Sequence, residues 1–62
     1  MVVRIVFDTD NDAFVGQRRE EVCRVLRGAV KVIKEMNHID FGGFSLRDVN
    51  GNRIGSCEFA SK

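Results

Sequence analysis

The chain has no proline, no internal repeat and no low-complexity tract among its 62 residues, so nothing marks a linker and one domain spanning 1–62 is expected. It has only two cysteines, Cys23 and Cys57, which allow at most one bridge. Met1 leads directly into a strand-like run without a leader-like segment, so the expected setting is cytoplasmic, with reduced thiols. Cys23, Cys57 and the single histidine, His38, lack the close C-x-x-C or H-x-x-x-H spacing by which one short segment presents two ligands, so neither a metal nor another cofactor is expected. Ten basic against nine acidic residues leave a net charge of +1, which excludes a global pull toward nucleic acid or anionic membrane. No apolar run approaches the ~20 residues that span a bilayer. A domain of this length buries only about 60% of its unfolded surface and is marginal unless something is added. With a disulfide and a metal set aside, self-association is the supplement that remains.

What is present reads as strand, helix and hairpin. Val2-Val3-Arg4-Ile5-Val6-Phe7 is β-branched and bounded by the Asp8 to Asp12 cluster; its alternation puts Val3, Ile5 and Phe7 on one face and Val2, Arg4 and Val6 on the other. From about Arg18 to Met36 the residues Val22, Leu26, Ala29, Ile33 and Met36 recur at helical spacing, flanked by Val25, Val30 and Val32, which predicts one amphipathic helix lying across a sheet. Gly28 sits within it and suggests a close backbone contact. Asn37-His38 and Gly42-Gly43 end the helix and return the chain to Phe44.

Asn50-Gly51, between two alternating segments, marks a hairpin that admits two registers. A two-residue type I′ turn pairs Asp48 with Arg53, Leu46 with Gly55 and Phe44 with Cys57, uniting Phe44, Leu46, Cys57 and Phe59 against the helix; this is the preferred register. The rival is a type I turn starting at Asp48 with Gly51 as a bulge. It opposes Arg47 to Arg53 and turns Cys57 and Phe59 outward unless a second bulge at Gly55 turns them back.

Several side chains invite a chemical reading. Asp8, Asp10 and Asp12 alternate as in a calcium loop, but Ala13 and Arg19 stand where that loop needs glycine and glutamate; a turn and a helix cap is the better reading. Arg24, Arg27, Lys31 and Lys34 form a basic ridge that could track phosphates, yet Glu20, Glu21 and Glu35 lie beside it, Glu20 at favourable spacing to Arg24, and no aromatics interleave. His38 has Asp40 nearby but no recognisable nucleophile, and is read as a cap; Phe41 and Phe44 are read as plugs for the open end of the core. On the sheet face the helix leaves bare, Val2, Val6, Val49 and Ile54 would merge with Arg4 and Arg47 into a partner-binding patch.

Asp8-Thr9-Asp10-Asn11-Asp12-Ala13-Phe14, the helical Glu21 to Arg27 and Leu46-Arg47-Asp48-Val49-Asn50-Gly51-Asn52-Arg53-Ile54-Gly55 together resemble small uncharacterised proteins encoded by bacteriophages and integrated mobile elements. The resemblance covers most of the chain, rests on structural motifs and transfers no functional residue. It implies a bacterial host cytoplasm and, by analogy, binding to host proteins.

These readings converge on an α+β domain of order strand, helix, strand, strand, with one helix on a three-stranded sheet. The last strand is placed in the centre in preference to a parallel crossover between the first two. The expected function is a non-enzymatic protein–protein interaction module that forms a homodimer or binds a host protein through the bare sheet face or a strand edge. The alternative is an accessory nucleic-acid binder using the basic ridge. No membrane or small-molecule substrate is expected.

Overall fold

The computed structural model describes residues 1–61. Strand β1 (Val2–Phe7) is followed by a single 3-10 turn (Asp12–Phe14), helix α1 (Arg18–Glu35), strand β2 (Gly42–Arg47) and strand β3 (Arg53–Ala60). The strands form one antiparallel sheet in the order β1-β3-β2, so the expected α+β architecture with a central third strand is the one observed.

The hairpin combines the two anticipated registers. Gly51 N–H donates to the Asp48 carbonyl at 3.0 Å with Gly51 at φ +86°, and Asp48 N–H donates to the Asn52 carbonyl at 2.9 Å. This is the type I turn with a glycine bulge rather than the preferred two-residue turn, so Arg53 stands opposite Arg47 and not Asp48. A register shift between Leu46 and Arg47 then leaves Ile54 as an extra residue on β3 and restores Leu46 to Gly55 and Phe44 to Cys57. The slip is corrected within one residue because Cys57 and Phe59 would otherwise face water. Gly55 makes the correction feasible: a Cβ there would run into the Val6 carbonyl oxygen and Phe7 of β1.

The core comprises Ala13, Phe14, Val25, Ala29, Leu46, Cys57 and Phe59, with Phe7, Val22, Ile33, Met36, Ile39, Phe44 and Ile54 packed around it. Phe14 stacks on Phe7 with ring centroids 6.5 Å apart, and Phe44 tilts against Phe59 at 6.3 Å. The helix is turned from the expected orientation. Its buried line is Glu21, Val25 and Ala29, about 60° round from the centre of the expected Val22-Leu26-Ala29-Ile33-Met36 stripe at 3.6 residues per turn; Ala29 is buried as expected and Leu26 is left exposed. Rotation brings the helix start over the hairpin turn and draws Glu21 into the interior.

Smaller expectations are also corrected. The cap expected of an Asp or Asn in this cluster is made by Asn11, which accepts from Ala13 N–H, but on the 3-10 turn; α1 itself begins at Gln17 without a side-chain cap. His38 lies against the Phe41 ring at 5.2 Å, and the backbone of Met36 closes the helix. Of the two proposed plugs only Phe44 enters the core, since Phe41 is exposed. A Cβ on Gly28 would meet nothing within 4 Å, so that glycine serves no close contact.

Gly28→Ala is therefore expected to raise unfolding stability by about 0.5–1 kcal/mol, through helix propensity alone. Gly55→Ala is expected to lower it by about 2 kcal/mol through overpacking against β1. Urea denaturation of both variants measures the contrast.

Candidate interaction surface

Two carboxylates are buried, Glu21 and Asp48, and both are fully engaged. The Arg24 guanidinium donates from Nε to Glu21 Oε1 at 2.7 Å and from Nη2 to Glu21 Oε2 at 3.0 Å, while Val49 N–H donates to Oε2 at 2.9 Å. Arg24 Nη2 also donates to the Arg47 carbonyl at 3.0 Å. Asp48 Oδ1 accepts from the N–H groups of Asn50 and Asn52, both at 2.9 Å. The hydrogen bond from Arg24 lowers the Glu21 pKa against the opposing effect of burial, with the Val49 N–H assisting. Burial works against the Asp48 carboxylate too, but the backbone and side chain of Asn52 and the backbone of Asn50 outweigh it and hold its pKa low. This cluster locks the start of α1 to the hairpin turn.

The locking redistributes the basic ridge. Arg24 pairs with Glu21 rather than Glu20 and turns toward the hairpin, so Arg27, Lys31 and Lys34 continue along the solvent face without it. Asp10 N–H donates to Asp8 Oδ1 at 2.7 Å, so the acidic run holds its own turn. Among the described residues no three His, Cys, Asp or Glu side chains are grouped to hold a metal ion, and both cysteines are free, Cys23 exposed and Cys57 buried. Burial raises the Cys57 pKa, with Glu58 adding to it, and keeps that thiol protonated.

The expected apolar patch is not assembled as a unit. Val2, Arg4 and Val6 share the outer face of β1, and Arg47 lies across the sheet on the outer side of β2. Val49 stands exposed in the hairpin turn above the helix start, whereas the Ile54 bulge packs that side chain against the core. The sheet face between β1 and the hairpin turn is polar: Glu58, Ser56, Ser45 and Arg53, with Arg53 Nε donating to Ser45 Oγ at 3.1 Å.

The longest run of exposed apolar side chains is on β1 itself. Val3 and Ile5 lie opposite Phe59 and Cys57 on the helix side of the sheet, yet they are 47% and 40% exposed, whereas Phe59 and Cys57 are buried. Val6 on the other face is 61% exposed. The cause is lateral placement of the helix. Arg24, Gly28 and Val32 line a shallow cleft of about 200 Å³ against β2, so α1 lies toward that edge; on its opposite flank Val22 and Ile33 pack on the core and Leu26 is left exposed. Only the far end of β1 is covered, where Phe14 meets Phe7. The sequence shows every one of these valines; what it hides is that a helix aligned on Glu21 leaves both faces of one strand open.

β1 is also a sheet edge. Asp8 N–H donates to the Ile54 carbonyl at 3.0 Å, so even-numbered residues turn their backbone groups to β3 and the N–H and C=O groups of Val3, Ile5 and Phe7 point outward. No helix in the described residues is long and apolar enough to cross a membrane. No protein-family model, curated protein or solved structure matches the chain.

Glu21→Gln keeps the shape but loses the charge-assisted bonds and is expected to cost about 1–2 kcal/mol. Folded Glu21 and Asp48 hold protons less tightly than the unfolded chain does. Their contribution is therefore complete above the ordinary carboxylate range and is lost as pH falls through their lowered values, below about pH 4. Stability measured against pH is expected to fall less steeply with acid in Glu21→Gln than in the wild type.

Proposed function

We propose that this chain is a small non-enzymatic protein–protein interaction module that works through the edge and faces of β1, in the cytoplasm of a bacterial host. One observation carries the proposal: four of the six β1 residues, Val2, Val3, Ile5 and Val6, are large apolar side chains left exposed on a strand whose outer backbone groups are free. Contiguous apolar exposure on an unprotected edge is how strand-adding interfaces look before they are occupied. Arg4 and Glu58, opposite one another on the outer face, supply a polar margin. The partner is either a second copy of the chain or a host protein, the latter in keeping with the resemblance to phage-encoded proteins.

Two further features support this reading over chemistry. The shallow clefts beside β2, about 200 and 270 Å³, fall below the ~300 Å³ at which small-molecule sites usually begin. The buried carboxylates are taken up by the hairpin turn. The nucleic-acid reading keeps Arg27, Lys31 and Lys34 but loses the guanidinium of Arg24 to Glu21.

The wild-type protein, purified under native conditions from a bacterial cytoplasm, is expected to retain a protein ligand, its own chain counted, that Val6→Lys fails to retain at equal folded concentration. Salt-sensitive binding of DNA or RNA that falls in Arg27→Ala and Lys31→Ala, with no protein retained, would replace the proposal.

A further inference from the structure

Resting on the reading of β1 as an interaction edge, we infer that its occupant is a second copy of this chain. The two β1 strands pair antiparallel about a two-fold axis at Ile5, so that two three-stranded sheets become one of six strands.

The size of the molecule argues for a copy of itself. A compact monomer of 7.0 kDa exposes about 4,000 Å², whereas this chain exposes 4625 Å². Its radius of gyration is 12.2 Å against about 10.6 Å for a compact domain of this length. The excess, roughly 600 Å², approaches the ~800 Å² that each partner contributes to a standard interface. Its longest apolar stretch is on β1, where Val2, Val3, Ile5 and Val6 are exposed with Leu26 of α1, while Val15, Phe41 and Val49 are exposed singly elsewhere.

Hydrogen-bond accounting sets the register. Val3, Ile5 and Phe7 carry the outward backbone groups, and centring the axis on Ile5 pairs all six of them: Val3 opposite the partner's Phe7, Ile5 opposite the partner's Ile5, Phe7 opposite the partner's Val3. Centring it on Arg4 would set two arginines face to face and leave outward groups unpaired. In the Ile5 register Arg4 stands opposite the partner's Val6 and keeps its own Glu58 across the sheet. An axis normal to the sheet puts both helices on one side. The Val3 and Ile5 side chains then line the seam beneath the two Leu26 flanks, which removes from water the groups that the displaced helix leaves bare. The other edge, β2, is a poorer template: it opens on Gly42-Gly43 and ends at a bulge beside Arg47.

The register makes a charge test possible at Val6, which is well exposed, so that substitution leaves the fold intact; circular dichroism and urea denaturation verify this. Val6→Lys sets a lysine opposite the partner's Arg4 twice per dimer, and Val6→Glu sets a glutamate there. Sedimentation equilibrium of the wild type is expected to show a species of about 14 kDa, twice the 7.0 kDa chain. The dissociation constant should rise in Val6→Lys and lie roughly tenfold or more below that value in Val6→Glu. In a Cys23→Ser background, Ile5→Cys should oxidise to a covalent dimer, since the facing Cα atoms would be about 5.5 Å apart, and Val49→Cys should not. Equal weakening by lysine and glutamate, or a dimer without the Ile5→Cys cross-link, overturns the β1 register. A wild-type monomer at every concentration up to hundreds of micromolar overturns the second copy. In that case the interaction reading is judged separately, by whether a different protein is retained by the wild type and lost in Val6→Lys.

Discussion

A single carboxylate, that of Glu21, decides how the helix sits on the sheet. It accepts from Arg24 on its own helix and from the Val49 N–H in the hairpin turn, and the same guanidinium reaches the Arg47 carbonyl. Asp48, one residue before Val49, organises the turn from within through Asn50 and Asn52. A buried charge is costly unless it is paired and hydrogen-bonded, and here both requirements are met only when the first turn of α1 lies directly over the hairpin. The helix is positioned by a polar constraint, and its apolar stripe accommodates to it.

The consequences run outward from that constraint. With Glu21, Val25 and Ala29 beneath it, α1 shelters Leu46, Cys57 and Phe59 and lies toward β2. One helix is too narrow for three strands, and the strand it leaves bare is the one richest in β-branched side chains. The 3-10 turn covers one end of that strand by delivering Phe14 to Phe7, and nothing comparable covers Val3 and Ile5. The open strand is thus the remainder of a packing problem solved at the other side of the sheet.

Period-two and period-3.6 patterns made the elements legible, and a centrally placed third strand followed from antiparallel pairing. The hairpin was legible in pieces: its turn residues pointed to the type I geometry, its facing apolar residues to the pairing beyond it, and only the extra residue at Ile54 reconciles the two. Leu26 and Glu21 were misplaced together because hydrophobic periodicity assigns a helix its buried side from apolar residues alone. Glu21 lies four residues before Val25 and eight before Ala29, a spacing that carries the signal once a buried carboxylate is admitted. The expected apolar patch is divided in the structure. Val2 and Val6 lie on the expected outer face, but Val49 follows the turn and Ile54 the bulge, and Val3 and Ile5, on the face shared with Phe7, stay exposed because the core stops short of them.

The strand order has a bearing on synthesis. Among the described residues β1 hydrogen-bonds to β3, whose paired residues lie 48 to 58 positions further along the chain, so on the ribosome the segment Val2–Phe7 emerges first and waits through helix and hairpin for its neighbour. During that interval a short β-branched run with one arginine has both of its edges free. Arg4, in the middle of the run, places a charge in a segment that is otherwise apolar, the placement by which a charge opposes stacking of such segments.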